Sequence, residues 1–267
     1  MLNRIRRGGI AAALVAMTLS FAPPAGAVNL FSVQQDVQAG RQAASQVERQ
    51  MPMVRDSQVN NYVNAIVQRL AANAGGPQFQ YRARVVTSRE LNAFSLPGGF
   101  IYVNSGLISA VRSEDELAGV LAHEIAHVAE RHGTEQATKA YGAQAGVGLL
   151  AGLLGGRDGR VGIPEQIIGS LGVNAAFMKF SRNAEHEADS VGAAMMARAG
   201  YDPMAMASFF DLLQQQKRSN PNAVASFFSS HPPASDRSAR IRAQASRLER
   251  GDRRQVGSLR AVQSRLG

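Results

Sequence analysis

Two histidines and a glutamate stand at a spacing that suits metal-assisted hydrolysis. His123, Glu124 and His127 form an H-E-x-x-H motif. The interval of four residues places both imidazoles on one face of a helix, one turn apart, where both can bind one tetrahedral zinc ion. Glu124 is offset around the helix and can reach a metal-held water instead of the metal. The motif therefore predicts a zinc site with Glu124 as the general base of peptide hydrolysis.

A catalytic zinc site needs a third protein ligand and keeps one position open. The segment 185–189, about 60 residues after the motif, supplies the candidates. Glu185 and Asp189 lie four residues apart and so share a helix face. Glu185 can then bind zinc while Asp189 accepts a hydrogen bond from a ligand imidazole. His186 and Glu187 are the competing ligands, since helical spacing alone does not exclude them.

Together these motifs resemble metallopeptidase family forty-eight. The family pattern S-R-x-x-E-x-E-A-D matches residues 181–189, and the resemblance extends from about Arg41 to Arg237. It implies that Glu185 is the third zinc ligand, that Asp189 supports a ligand from behind, and that the fold is a zincin of the gluzincin-like type. The sequence has neither the membrane-spanning helices nor the trailing helical repeats that some members of the family carry.

The resemblance also covers His231-Pro232 with Arg237. It implies that His231 and Arg237 are catalytic residues that stabilise the transition state, and that such a histidine can swing onto zinc and fill its open position. From the residues themselves, we expect His231 on a loop, because the residue before a proline disfavours helix. Arg237 stands near the start of the last predicted helix. The alternative is a loop whose His and Arg merely face solvent.

A short segment upstream of the motif is the candidate for substrate binding. Asn92, Ala93 and Phe94 belong to a predicted strand and also match the family, as do residues 97–101. An exposed strand can align an unfolded peptide by adding it to the sheet, because backbone pairing is indifferent to side chains. The alternative is an internal strand of the sheet.

The elements that must position these residues are mainly helical. Ser113 and Glu116 form a predicted capping box at the start of the helix that carries the motif, and Gly133 is placed to end that helix. Alternating residues and a Pro-Gly-Gly turn predict a small sheet with a hairpin beside it. We therefore expect one α+β, mainly helical metalloprotease domain. The predicted helices are Phe31–Met51, Gln58–Ala72, Ser113–His132, Arg182–Gly200, Pro203–Lys217 and Ser235–Arg250; the predicted strands are Phe79–Thr87, Leu91–Leu96 and Phe100–Asn104.

The first 27 residues have the pattern of a signal peptide. Three arginines precede an apolar stretch at 10–22, and Ala25-Gly26-Ala27 is a small-x-small cleavage site. An uncleaved membrane anchor is the alternative. The chain has no cysteine, so packing and metal must stabilise an exported protein. We expect a periplasmic protein with a zinc metalloprotease domain at 28–250 and a basic C-terminal tail at 251–267.

Two segments have no assigned chemistry. The formal net charge is +9, and residues 237–267 hold nine arginines against Glu249 and Asp252. This basic end can touch anionic lipid headgroups peripherally, although a solvated basic helix is the interpretation we favour. No nucleic acid partner is expected, because no aromatic residues stand among the arginines to stack on bases. The uncharged, Gly- and Leu-rich segment 141–156 suits either a lid or a buried or membrane-touching loop.

These observations predict an endopeptidase with one zinc ion per chain. Its expected substrates are unfolded or misassembled envelope proteins, and outer-membrane assembly machinery is a candidate partner. The alternative is an envelope chaperone or assembly factor of the same fold with a latent protease site. Both interpretations need zinc, and they differ in whether Glu124 is required. A purely structural metal site is disfavoured, because such sites usually supply four protein ligands and no adjacent glutamate.

Overall fold

A computed structural model of the chain describes residues 29–140, 179–233, 235–252 and 256–267. The predicted signal peptide and the segment 141–156 lie outside the described residues. The helices are α1 (Val33–Gln50), α2 (Ser57–Ala71), α3 (Ser105–Ala110), α4 (Glu114–Ala129), α5 (Arg182–Arg198), α6 (Met204–Ser219), α7 (Ala225–Ser230), α8 (Arg237–Ala245) and α9 (Leu259–Gln263); the strands are β1 (Arg82–Val86), β2 (Ala93–Leu96) and β3 (Phe100–Asn104). Residues 132–140 are also helical. The expected mainly helical α+β architecture is confirmed.

The three strands form one sheet in the order β1-β3-β2, with β1 parallel and β2 antiparallel to β3. Among the described residues, β2 pairs with β3 alone, so it is an edge strand. The Asn104 amide donates to the Asn92 carbonyl at 2.9 Å. Since antiparallel pairs alternate between bonded and non-bonded partners, the backbone groups of Ala93 and Ser95 point away from β3. Within the described ranges, the outer edge of β2 therefore carries backbone donors and acceptors without a partner.

The sheet lies between two helical layers, because successive side chains of a strand point to opposite faces. On one face, Phe94 stacks on Tyr102 with ring centroids 5.1 Å apart. Leu96 and Phe100 join them in a cluster that includes Ala43, Ala44 and Val47 of α1. The other face packs on α2 and α4 through Ala83, Val85, Ala93, Ile101 and Val103. Both faces are thus occupied, and the edge of β2 is the side that meets the functional residues.

Helix α4 is buried along its whole length, from Glu114 to Ala129. Ser113 caps its start, accepting a hydrogen bond of 3.1 Å from the Glu116 amide. The second half of the predicted capping box is wrong: the Glu116 carboxylate accepts from the backbone and side chain of Arg112 instead of the Ser113 amide. The ion pair with Arg112 is the competing interaction that draws this carboxylate away from the cap.

The end of α4 also differs from the prediction. The helix stops at Ala129, and Arg131 turns the chain with a φ of 58°, whereas Gly133 already belongs to the following helical segment. A left-handed backbone is costly for a residue with a side chain. Arg131 is held there because its guanidinium donates to Asp36 of α1 at 2.6 Å and to the Phe31 carbonyl. A tertiary ion pair, and not glycine, ends the helix.

The C-terminal residues pack on the domain. Val262 of α9 is buried, and the Gln263 side chain donates to the carbonyls of Ile108 at 3.0 Å and Val111 at 2.9 Å. Arg265 pairs with Asp56 at the start of α2. The division of the chain at residue 250 stays a prediction. Within the described ranges, no helix combines the length and the apolar character needed to cross a membrane.

Candidate metal centre

Four buried side chains converge on one point: His123 and His127 of α4, Glu185 in the first turn of α5, and His231 directly after α7. One potential ligand atom from each lies within 4.8 Å of the others. The two Nε2 atoms of the α4 histidines are 3.0 Å apart. The three sequence-predicted zinc ligands are therefore brought together, and His231 joins them.

The approach of α5 to α4 depends on small residues at their crossing. A Cβ atom built on Gly192 would lie 3.2 Å from the backbone carbonyl of Ala122, which is tighter than ordinary contact. Glycine at this position lets the two backbones come close enough for Glu185 to reach the histidines. Its carboxylate oxygens lie 3.6 Å from His123 Nε2 and 3.4 Å from His127 Nε2.

The two competing ligand candidates lie outside this cluster. His186 and Glu187 are both exposed. His186 contacts Arg240, and Glu187 Oε2 lies 3.3 Å from Nε2 of His132. Of the three adjacent candidates on α5, Glu185 is the one whose side chain faces the histidines of α4.

Asp189 lies behind His123. Its Oδ1 atom is 3.1 Å from His123 Nδ1, on the ring side opposite the cluster. Arg237 donates to the same carboxylate at 2.6 and 2.7 Å and also reaches Glu185 Oε2 at 2.9 Å. The guanidinium lies over the Phe210 ring, 3.7 Å from its centroid. Asp189 can therefore hold the His123 ring in place, and Arg237 links this carboxylate to that of Glu185.

The electrostatics of the cluster favour a bound cation. Burial would raise the pKa of Glu185, but His231, His123 and His127 hold it well below its usual value. Burial, reinforced by the nearby His123, lowers the pKa of His127 well below that of free imidazole. Burial and Arg237 lower the pKa of His123, yet hydrogen bonds to Asp189 and Glu185 outweigh them and raise it to about 9. An ionised carboxylate and a neutral imidazole thus meet where the surroundings attract positive charge.

Glu124 is fully buried beside the cluster. Its Oε2 atom accepts a hydrogen bond of 2.9 Å from the Ser95 hydroxyl. Its Oε1 atom has no hydrogen-bond partner among the described residues, and His231 Nε2 lies 3.4 Å from it. A buried carboxylate oxygen without a donor is costly. The unpaired oxygen, together with two histidines and an ionised glutamate, fits a zinc site whose water would donate to Glu124.

Comparison with known proteins identifies the family of this chain. The model that describes peptidase family M48 matches residues 57–245. The chain belongs to peptidase family M48. The resemblance inferred from the two motifs is confirmed, and the M48 domain is a metallopeptidase domain.

Similar M48 proteins come from bacteria and from mitochondria. The chain is 27% identical over 249 residues to the beta-barrel assembly-enhancing protease of Escherichia coli (strain K12), covering 87% of this chain and 49% of that protein. It is 31% identical over 180 residues to mitochondrial metalloendopeptidase OMA1 of Schizosaccharomyces pombe, covering 67% and 51%. It is 28% identical over 187 residues to metalloprotease LoiP of Escherichia coli (strain K12), covering 70% and 71%. The chain thus spans about half the length of the first two.

The edge strand of the M48 domain approaches the candidate metal centre. The side chains of the segment predicted to bind substrate are not the part that a peptide can reach. The side chains of Ala93 and Phe94 are buried in the two cores, and the Asn92 carbonyl is bonded to β3. In the part of the chain that the structure describes, it is therefore the outer backbone edge of β2, and not these side chains, that is available to pair with a peptide. Ser95, which lies on the same edge and contacts Glu124, was not predicted.

Two further residues of the M48 site were missed. His132 Nδ1 lies 2.9 Å from His127 Nδ1, and the Phe180 ring stacks on that of His127 with centroids 4.0 Å apart. His132 stands five residues after His127, a spacing that does not place two residues on the same face of a helix. Phe180 immediately precedes the S-R-x-x-E motif, but an isolated aromatic residue gives no signal of its own.

Proposed function

We propose that the chain is a zinc-dependent endopeptidase of the bacterial periplasm that hydrolyses unfolded or misassembled envelope proteins. The observation that carries this proposal is the convergence of His123, His127 and Glu185 on one buried point, with the unpaired Oε1 of Glu124 beside it. Family membership supports a metal-dependent peptidase. The identity of the metal, the cellular location and the substrates are the proposed parts.

The residues that would hold zinc are His123 and His127 through Nε2 and Glu185 through its carboxylate. When bound, zinc supplies a Lewis acid that polarises a peptide carbonyl and lowers the pKa of a coordinated water towards neutrality. Asp189 holds the His123 ring on the side away from the metal, and Arg237 holds the carboxylates of Asp189 and Glu185. In the described arrangement the Arg237 guanidinium is engaged by two carboxylates. This favours a positioning role for Arg237 over direct contact with the transition state.

Glu124 acts as the general base in this proposal. Its Oε1 atom receives a proton from the attacking water, and the same carboxyl later delivers that proton to the leaving amine. Ser95 keeps the other oxygen, Oε2, occupied, so that Oε1 is the one turned towards the reaction. His231 Nε2 lies 3.4 Å from Oε1 and so beside the general base. If His231 left the ligand cluster, its role in this proposal would be to donate to the developing oxyanion.

The proposed substrates follow from the edge of β2. The outward backbone groups of Ala93 and Ser95 can pair with an extended peptide of any sequence, and this pairing requires an unfolded segment. The similarity to a protein named beta-barrel assembly-enhancing protease supports outer-membrane assembly machinery as a partner. Export by the signal peptide at 1–27, peripheral membrane contact through the basic end and the absence of a nucleic acid partner remain parts of the proposal.

A second candidate function is an envelope chaperone or assembly factor with a latent protease site. The position of His231 favours it: its Nδ1 atom lies 2.9 Å from Glu185 and 3.4 Å from His123 Nε2. A fourth protein ligand in the open position would exclude the water that hydrolysis needs. In this state the edge strand would still bind unfolded chains.

Metal analysis and proteolysis of one set of proteins test both candidates. Wild type and Glu124→Gln, purified without chelators, are measured by plasma mass spectrometry and incubated with an unfolded protein such as reduced casein. We expect about one zinc per chain in both, and hydrolysis by the wild type alone, since the amide cannot accept the proton. Equal hydrolysis by both proteins, or no zinc after reconstitution, would refute the endopeptidase proposal. Zinc-bound wild type without hydrolysis would favour the latent form.

A further inference from the structure

Two contacts outside the ligand cluster connect α5 to the Nδ1 side of His127, which faces away from the cluster. His127 Nδ1 lies 2.9 Å from His132 Nδ1. His132 Nε2 in turn lies 3.3 Å from Glu187 Oε2. Neither His132 nor Glu187 belongs to the group of side chains that could hold a metal. Together they form a chain of polar atoms that runs from the exposed Glu187 to the buried ring of His127, which we call the relay.

The orientation of the His127 ring sets the direction of these hydrogen bonds. Its Nε2 atom faces the cluster, 3.0 Å from His123 Nε2 and 3.4 Å from Glu185. An imidazole that binds a metal through Nε2 carries its proton on Nδ1. That proton can be donated only to an acceptor, so His132 must present an unprotonated Nδ1. The proton of a neutral His132 then sits on Nε2, where it points at the Glu187 carboxylate.

The position of His132 is fixed by the backbone. The left-handed turn at Arg131, held by Asp36, brings His132 back beneath the last turn of α4. His132 is 3% exposed, and the ring of Phe180 stacks on that of His127. Because the site is buried, water cannot readily replace the His132 acceptor if it is lost. This makes the contact with His127 energetically more important than the exposed one with Glu187.

We propose that His132 and Glu187 are positioning residues that hold His127 in the tautomer and ring orientation needed to bind the metal. The inference rests on the proposed function, because it assumes that His127 is a ligand. It assigns a role to both glutamates of the E-x-E motif. They are two residues apart on α5 and so face different directions, Glu185 towards the metal and Glu187 towards the support of a ligand on α4.

Zinc affinity of the full chain, measured by competition with a chromogenic chelator, tests the inference without relying on activity. His132→Leu removes the acceptor, and we expect zinc binding to weaken by about 10- to 100-fold, as is usual when a partner behind a metal ligand is lost. In His132→Asn the side-chain oxygen takes the place of Nδ1 and can still accept from His127. This variant should regain most of the affinity, and Glu187→Gln should lose less than His132→Leu.

His186→Ala is the matched control, since His186 lies between Glu185 and Glu187 on α5 but contacts Arg240, and the zinc affinity of this variant should equal that of the wild type. Thermal unfolding of the metal-free variants separates a folding defect from a binding defect. Unchanged affinity in His132→Leu, or equal losses in His132→Leu and His132→Asn, would overturn the relay while leaving the zinc site intact. A wild type that binds no zinc would overturn the proposed function and the relay together.

Discussion

The Ser95 hydroxyl donates a hydrogen bond of 2.9 Å to Oε2 of Glu124. Ser95 also lies at the outer edge of β2, where its backbone N–H and C=O point away from the sheet. One residue thus belongs to the edge where we propose substrates to pair and also touches the proposed general base. A peptide aligned along β2 would be held at a fixed distance from the carboxylate that activates the water.

Ser95→Ala should therefore impair the chemical step more than substrate binding. The change removes a hydrogen bond to a charged group, which is worth about 1.5–3 kcal/mol, so we expect kcat to fall by at least about 10-fold. KM should change little, because the backbone of β2 remains. Steady-state hydrolysis of a fluorogenic peptide measures both constants. Ser95→Thr keeps the hydroxyl and should retain most of kcat, whereas wild-type kcat in Ser95→Ala would contradict the role.

The two glutamates of the E-x-E motif should differ sharply in their effect on metal content. Glu185→Ala deletes a proposed ligand and leaves two histidines, so zinc should be lost on dialysis. Glu187→Ala removes only an exposed contact of His132 and should keep most of its zinc. Plasma mass spectrometry of both variants after identical purification gives the answer. Greater loss in Glu187→Ala would mean that the ligand assignment is wrong.

Asp189→Asn should weaken zinc binding by about 10- to 100-fold. The amide keeps the shape of the carboxylate but removes the charge that faces His123. Because its NH2 group cannot accept, it also loses one of the two hydrogen bonds from Arg237. His123 would then be less basic and less firmly oriented. A competition titration measures the effect, and the adjacent, exposed Ser190→Ala serves as a control. Zinc affinity equal to that of the wild type would assign Asp189 to structural support alone.

The main features of the site could be predicted because they are local. Helical spacing places His123 beside His127, and Glu185 with Asp189, without knowledge of the fold. Spacing could not exclude His186 or Glu187, because the direction of α5 is decided by its packing against α4, where Gly192 meets Ala122. The end of α4 was predicted at a glycine, yet it is set by an ion pair between residues 95 positions apart. Such long-range contacts leave no local pattern. The contact of His132 with His127 spans only five residues, but it depends on the turn at Arg131 that this ion pair holds.

The ion pair that ends α4 should contribute measurably to stability. Arg131→Ala leaves Asp36, which is 1% exposed, without its charged partner, and we expect a loss of about 3 kcal/mol at pH 7 in urea unfolding. Arg131→Gly also loses the pair but adopts the left-handed backbone freely, so it should be more stable than the alanine variant by about 1 kcal/mol. Equal stabilities of wild type and both variants would contradict this account.

The stability of Arg131→Ala should also depend on pH in a defined way. Burial raises the pKa of Asp36 above its ordinary value of 3.8, against the opposing hydrogen bond and charge of Arg131. Without Arg131 the pKa rises further. An acid with a raised pKa binds its proton more readily in the folded than in the unfolded protein, so stability falls as the pH rises above 3.8. The deficit of Arg131→Ala relative to wild type should be larger at pH 7 than at pH 5.

His231→Ala distinguishes two opposite roles for the fourth member of the ligand cluster. In the described arrangement, His231 Nδ1 lies 2.9 Å from Glu185 Oε1. Its ring packs on that of Phe227, with ring centroids 4.8 Å apart. This favours a histidine that occupies the open metal position, so we expect the alanine variant to show higher basal proteolysis with unchanged zinc content. A histidine that instead stabilises the oxyanion would give the reverse, a fall in kcat of about 10²- to 10³-fold. Casein hydrolysis and zinc content measured together between pH ~6 and 8 separate the two. Activity and zinc content equal to those of the wild type would contradict both roles and leave His231 as a packing residue beside Phe227.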